Sequence, residues 1–156
     1  MNFSVLISTL FRVGYIPKAP GTAGTILAAC VYWLLPYGWF ENFPANLYFV
    51  ISVLILSVIS VFFVSKAEIE LGHDNGKIVL DEFWGYMLAV AFLPKTLTVL
   101  IISFILFRIF DIFKPEPVNL LQRLPKGWGV LADDLMAGIY ANLGIRLIFL
   151  VHSKIM

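Results

Sequence analysis

Charge is scarce in this sequence. Only 13% of its 156 residues are Asp, Glu, Lys or Arg, against about a quarter in an ordinary soluble domain. That scarcity, with a mean hydropathy of +0.91, excludes a conventional water-facing surface. No run of Lys or Arg exceeds two residues, and the four Trp and fourteen Phe fall in apolar segments. The net charge of +1 offers no basic, aromatic-lined surface, so nucleic acid is excluded as a partner. The single cysteine, Cys30, cannot form an intrachain disulfide, and its apolar surroundings make it a buried or lipid-facing thiol. No paired histidines suit a metal: His73 stands alone as a structural or solvated group, and His152 lies near the C-terminus. There is no Cys-x₅-Arg loop, no complete P-loop, and no Ser or Cys nucleophile beside a His–acid pair. A cleavable signal peptide is not expected, because a basic n-region is lacking and Arg12 interrupts the first apolar stretch.

What the chain does have is long apolar runs. Leu47 to Val64 is 18 residues without a charge, close to the roughly 20 that span a bilayer. Ala132 to Val151 is similar apart from Asp133, Asp134 and Arg146. Shorter runs cover Thr25 to Tyr37, Phe83 to Leu93 and Thr96 to Phe107, the last two separated by Pro94-Lys95. Ahead of them, Phe3, Leu6, Ile7, Leu10 and Val13 recur at three and four, predicting an amphipathic interfacial helix over residues 1–13 that ends at Gly14. Ile16 to Thr25 reads as a loop, and Ser65 to Leu80 and Arg108 to Gly129 as polar stretches. These features predict an all-α, integral membrane helical bundle of four to five apolar segments, forming one domain over residues 1–156.

Lys and Arg prefer cytoplasmic loops. Eight of the eleven fall in three polar regions: Arg12 and Lys18; Lys66 and Lys77; Arg108, Lys114, Arg123 and Lys126. Placing all three on one side requires residues 83–107 to enter the membrane and return, as two short helices or as a hairpin that stops partway. A single span would separate Asp111 from Asp81 and scatter the basic residues.

That topology brings five of the ten acids to one face: Asp81-Glu82, Asp111 and Asp133-Asp134. Carboxylates beside hydrocarbon are costly and commonly functional. Together they form an oxygen-rich site suited to a hard divalent cation such as Mg²⁺. Taken singly, Asp81-Glu82 and Asp133-Asp134 also read as favourable acids at helix N-termini. Asp111 lies at a helix C-terminus, where the dipole disfavours it, with a salt bridge to Arg108 or Lys114 as its other reading. Lys114, before Pro115, reads as a phosphate ligand or as a snorkelling lysine. Pro20-Gly21-Thr22-Ala23-Gly24-Thr25 opens a helix whose free N–H groups suit an anion, or simply a cap.

The same stretches carry a resemblance. Gly14-Tyr15-Ile16-Pro17-Lys18-Ala19-Pro20-Gly21-Thr22-Ala23-Gly24-Thr25, Ile78-Val79-Leu80-Asp81-Glu82, Phe107-Arg108-Ile109-Phe110-Asp111-Ile112-Phe113-Lys114-Pro115-Glu116-Pro117 and Gly127 to Gly138, with Asp133-Asp134, resemble the phosphatidylglycerophosphatase A family. One departure is that Asp74 is followed by Asn75 where that family often has proline. The resemblance implies a Mg²⁺-dependent hydrolase that cleaves the terminal phosphomonoester of phosphatidylglycerophosphate. It implies Asp81, Glu82, Asp111, Asp133 and Asp134 as metal and catalytic residues, with Lys114 also catalytic. It further implies a phosphate bound by Lys114, Lys18, Thr22, Thr25 and Arg108. It places the chain in the bacterial inner membrane, multi-pass, with its site on the cytoplasmic face, a phospholipid substrate and no obligatory protein partner. The alternatives are an enzyme of another lipid phosphate and a non-enzymatic ion transporter.

Overall fold

A computed structural model describes residues 2–40 and 42–155, and these residues contain helices and no strand. In chain order the α-helices are α1 (Phe3–Ser8), α2 (Pro20–Leu34), α3 (Phe43–Leu71), α4 (Leu80–Ala89), α5 (Leu97–Phe113), α6 (Val118–Leu121) and α7 (Gly127–Ile155). α3 and the Gly127–His152 part of α7 are long and apolar enough to cross a membrane. Large apolar side chains remain outward-facing along the bundle, among them Ile51, Ile55, Ile59, Phe62, Ile101, Ile105, Leu143 and Leu147. Such a surface suits hydrocarbon and would be an aggregation hazard in water. The architecture is that of a membrane helical bundle.

Local chemistry sets most helix ends. Pro20 occupies the start of α2, where its missing N–H costs nothing. Leu35, held extended ahead of Pro36, stops that helix. Asn42 caps α3 by accepting from the Ala45 amide at 2.9 Å. α3 runs beyond the apolar segment Leu47 to Val64 and takes in Ser65–Leu71, the start of the polar stretch. Lys66, Glu68 and Glu70 are sound helix formers, and the helix stops only at Gly72, whose φ is 100°. The N-terminal helix is shorter than its apolar spacing predicts. After Ser8 the chain turns through left-handed Leu10, Phe11 and Arg12. The Ser8 carbonyl accepts from the Val79 amide at 3.0 Å, tying this turn to the segment before α4.

α4 is the central element. Tyr86, Met87, Leu88, Ala89 and Val90 are all buried. Its crossing with α7 depends on two glycines: a Cβ on Gly138 would strike the Gly85 carbonyl, and one on Gly85 would lie 2.6 Å from the Asp134 carbonyl and 2.7 Å from the Phe107 ring. Small residues allow this backbone approach.

The 83–107 stretch forms the expected pair of short helices. The Tyr86 hydroxyl donates to the Leu100 carbonyl at 3.0 Å, clasping α4 to α5. The turn between them reaches the level of the α2–α3 connection. Lys95 Nζ donates to the Leu35 carbonyl at 2.5 Å, and the Phe92 amide donates to Asn46 Oδ1 at 3.2 Å. From α7, Asn142 donates to the carbonyls of Ala89 and Ala91 at 3.0 and 2.7 Å, and Arg146 to that of Phe92 at 3.2 Å. These bonds satisfy backbone groups that the non-helical turn leaves without helical partners. The hairpin therefore returns Arg108 and Asp111 to the end where α4 begins.

Candidate active site

Asp81 and Glu82 lie in the first turn of α4, and Asp134 lies in the second turn of α7. Each offers one carboxylate oxygen, and these oxygens all lie within 4.8 Å of one another. Asp81 is 7% exposed and Asp134 is 3% exposed. Asp81 Oδ1, Glu82 Oε2 and Asp134 Oδ2 are buried with no hydrogen-bond partner in the protein. Three crowded, partly orphaned carboxylates carry a large desolvation and repulsion cost unless a cation compensates them. Their oxygen-only chemistry and negative charge fit a hard divalent ion.

The other two expected ligands have protein partners. Asp111 Oδ2 accepts from Arg108 Nη1 at 2.6 Å, while that same nitrogen lies 4.0 Å from Glu82 Oε1. Asp133 Oδ2 accepts from Lys114 Nζ at 2.6 Å, and Asp133 Oδ1 accepts from the Asp134 amide at 3.0 Å. All five acids meet at one end of the bundle, but they divide: three converge with open oxygens, and two hold the flanking cations. Asp133 and Asp134 do not open the last helix, as their position after Gly129 suggested. α7 starts at Gly127, so the pair lies beyond its first turn, out of reach of its free amides.

Lys114 ends α5 in a left-handed conformation, φ 43° and ψ 58°, its amide donating to the Phe110 carbonyl at 2.9 Å. This turns the side chain back toward Asp133. Burial by itself would lower its pKa, but the hydrogen bond and charge of Asp133, with the fields of Asp134 and Asp74, raise it overall. The ammonium thus stays charged at neutral pH. Arg108 has a second feature the sequence could not show: its Nε is buried and has no partner in the protein.

The segment expected to be a Gly-Thr loop is the first turn and a half of α2. Thr25 Oγ1 is fully buried and donates to the Gly21 carbonyl at 2.9 Å, so its hydroxyl is engaged inside the helix. Thr22 is half-buried in the first turn, and Lys18 is exposed with a φ of 73° just ahead of it. Gly21 touches the site directly. A Cβ there would overlap Glu82 Oε1 and lie 3.1 Å from Arg108 Nη1. The positive end of α2 is thereby set against the Glu82 carboxylate.

Asp74 went unassigned on sequence and belongs to the surroundings of this site. Its Oδ2 accepts from Gln122 Nε2 at 2.6 Å, linking the α3–α4 loop to the segment between α5 and α7. Its field reaches both Lys114 and Asp133. The departure at Asn75 drew attention to this position, but Gln122 carried no signal.

Comparison with known proteins agrees with these motifs. The model of the family described as "PgpA: Phosphatidylglycerophosphatase A" matches residues 6–149. A Bacteroides thetaiotaomicron protein named a putative phosphatidylinositol-3-phosphatase is 37% identical over 145 residues, covering 88% of this chain and 87% of its own. Proteins named phosphatidylglycerophosphatase A match from Haemophilus influenzae and Escherichia coli. The first is 35% identical over 87% of this chain and 82% of its own. The second is 32% identical over 86% and 76%. No solved structure matches the chain.

Proposed function

Because this chain belongs to the phosphatidylglycerophosphatase A family, we propose that it hydrolyses the terminal phosphomonoester of phosphatidylglycerophosphate, with Mg²⁺ as cofactor. The observation that carries this reading is the convergence of three open carboxylates beside two cationic side chains, at one end of an apolar bundle. Asp81, Glu82 and Asp134 would hold the ion. When bound, Mg²⁺ supplies a Lewis acid that draws charge from phosphate oxygens.

The chain's own residues do the remainder. Lys114 presents a permanently charged ammonium to the phosphate, and Asp133 fixes where that ammonium lies. Arg108 is oriented by Asp111, and its guanidinium adds positive charge beside Glu82. The first-turn amides of α2 add positive potential beside Gly21. Water attacks phosphorus, the bond from phosphorus to the glycerol oxygen breaks, and a proton from water ends on the released alcohol. The products are phosphatidylglycerol and inorganic phosphate. The distribution of Lys and Arg favours the cytoplasmic face of the bacterial inner membrane for this site.

A second reading concerns the headgroup. The Bacteroides relative, at 37% identity, favours an inositol 3-phosphate as the phosphomonoester removed. One experiment separates the two: phosphate release from phosphatidylglycerophosphate and from phosphatidylinositol 3-phosphate in mixed micelles, with Mg²⁺ and with EDTA. The proposal expects faster turnover of the glycerol lipid and its loss in EDTA. Faster turnover of the inositol lipid selects the second reading. Full activity in EDTA removes the metal role, and no release from either lipid refutes both headgroup assignments.

A further inference from the structure

Below the carboxylates, α2 and α5 leave between them an apolar groove of about 610 Å³. Ile26, Cys30 and Trp33 form one wall, and Leu97, Ile101 and Phe104 form the other. The groove lies on the outer surface of the bundle, where Cys30 is exposed and Ile26, Trp33, Leu97 and Ile101 are open to the surroundings.

Both helices that wall the groove run on to the site. Gly21, which abuts Glu82 and Arg108, precedes Ile26 on α2, and Phe104 precedes Arg108 by one turn on α5. At 1.5 Å per residue, the groove begins about 6–8 Å below Arg108 and Gly21. It ends near Leu34 and Leu97, about 16–20 Å below them. One leaflet of a bilayer holds about 15 Å of hydrocarbon. A lipid whose phosphate reaches the carboxylates would therefore have an acyl chain alongside this groove over its length. By contrast, the smaller recess formed by Trp39, Ala45, Tyr48, Phe49 and Ser52 lies near the α2–α3 connection, at the opposite end.

We propose that the α2–α5 groove is the acyl-chain subsite of the enzyme, holding one chain of the lipid substrate while its phosphate lies at Asp81, Glu82 and Asp134. This rests on the lipid phosphatase activity proposed above. The groove would let the substrate enter sideways from the leaflet without leaving it. Chain contacts made there contribute to binding, so filling the groove should penalise long-chain substrates and spare water-soluble ones.

Cys30 provides the test, since it is the one cysteine of the chain. Two forms of the 156-residue chain in detergent are compared with wild type: Cys30→Trp, and wild type alkylated after folding with a bulky maleimide. Substrates are dioleoyl- and dibutanoyl-phosphatidylglycerophosphate. The expected result is a fall in kcat/KM of about tenfold or more for the dioleoyl lipid, with the dibutanoyl analogue within about twofold of wild type. Leu56→Trp, on the exposed face of α3, should leave both substrates unchanged. Equal losses on both substrates, no loss on either, or the same chain-dependent loss in Leu56→Trp would overturn the subsite; the last outcome would mean bulk lipid packing. Wild-type protein that hydrolyses neither substrate would instead overturn the proposed activity, and the groove assignment with it.

Discussion

Replacing Lys114 by alanine tests the proposed site most directly, because that lysine pairs with Asp133 and is also proposed to hold the phosphate. Its Nζ lies 2.6 Å from Asp133 Oδ2, where the lysine side chain is 24% exposed and the aspartate side chain 3% exposed. A charge-assisted hydrogen bond to a phosphate oxygen is worth about 1.5–3 kcal/mol. Its loss should lower kcat/KM by roughly ten- to a hundredfold, at about 1.4 kcal/mol per tenfold. The same change strands a buried carboxylate, which costs about 3–5 kcal/mol in a fully buried pair. Water reaches Lys114, so the stability loss should fall below that range. The double variant Lys114→Ala/Asp133→Asn separates the two duties. It removes the stranded charge and should recover thermal stability without recovering turnover. The assay is phosphate release in mixed micelles, with thermal unfolding measured on the same preparations. Lys126→Ala, in the neighbouring polar segment, serves as the control for general positive field. The phosphate role is refuted if the double variant regains near-normal kcat/KM, or if Lys126→Ala loses as much as Lys114→Ala.

Further expectations follow from the same geometry. Asp81→Asn and Asp134→Asn should each abolish turnover and also remove any stabilisation of the folded protein by Mg²⁺, measured as a thermal shift; retention of both properties in either variant would contradict the three-carboxylate centre. Asp111→Asn should retain the Mg²⁺ shift but raise KM, because it releases Arg108 rather than an open ligand; loss of the shift would make Asp111 a ligand after all. Gly21→Ala should cut kcat/KM by about tenfold or more, since its Cβ would overlap Glu82 Oε1, whereas Gly38→Ala, with nothing within 4 Å, should be silent. Equal effects of the two glycine changes would argue against close contact of α2 with the site. Cysteines placed at positions 76 and 119 in a Cys30→Ala background should both label from the cytoplasmic side, and labelling from opposite sides would disprove the returning hairpin.

Membrane class, helical content and the hairpin were legible in the sequence because they depend on local properties. An uninterrupted apolar run such as Leu47–Val64 meets hydrocarbon wherever it is placed, and Pro94-Lys95 interrupts a helix without reference to the rest of the chain. The five site-facing acids were legible for a related reason: carboxylates at the ends of apolar runs are costly enough to stand out. Their division into carboxylates with unpaired oxygens and carboxylates paired to cations was not legible. It depends on how each helix is rotated about its own axis and how deeply neighbours approach. Those quantities come from contacts between residues far apart in the chain. Gly85 and Gly138 let α4 and α7 touch, and that contact decides that Asp134, rather than Asp133, faces Asp81. The left-handed turn at Lys114 decides that its ammonium meets Asp133. Gly21 and Thr25 read alike as parts of one Gly-Thr motif, yet one abuts Glu82 while the other bonds to its own helix. Sequence alone determined that acids would gather at one end of a membrane bundle. Only tertiary packing decided which oxygens remain open there, because the orientation of a side chain toward a distant partner is set by the whole set of helix crossings.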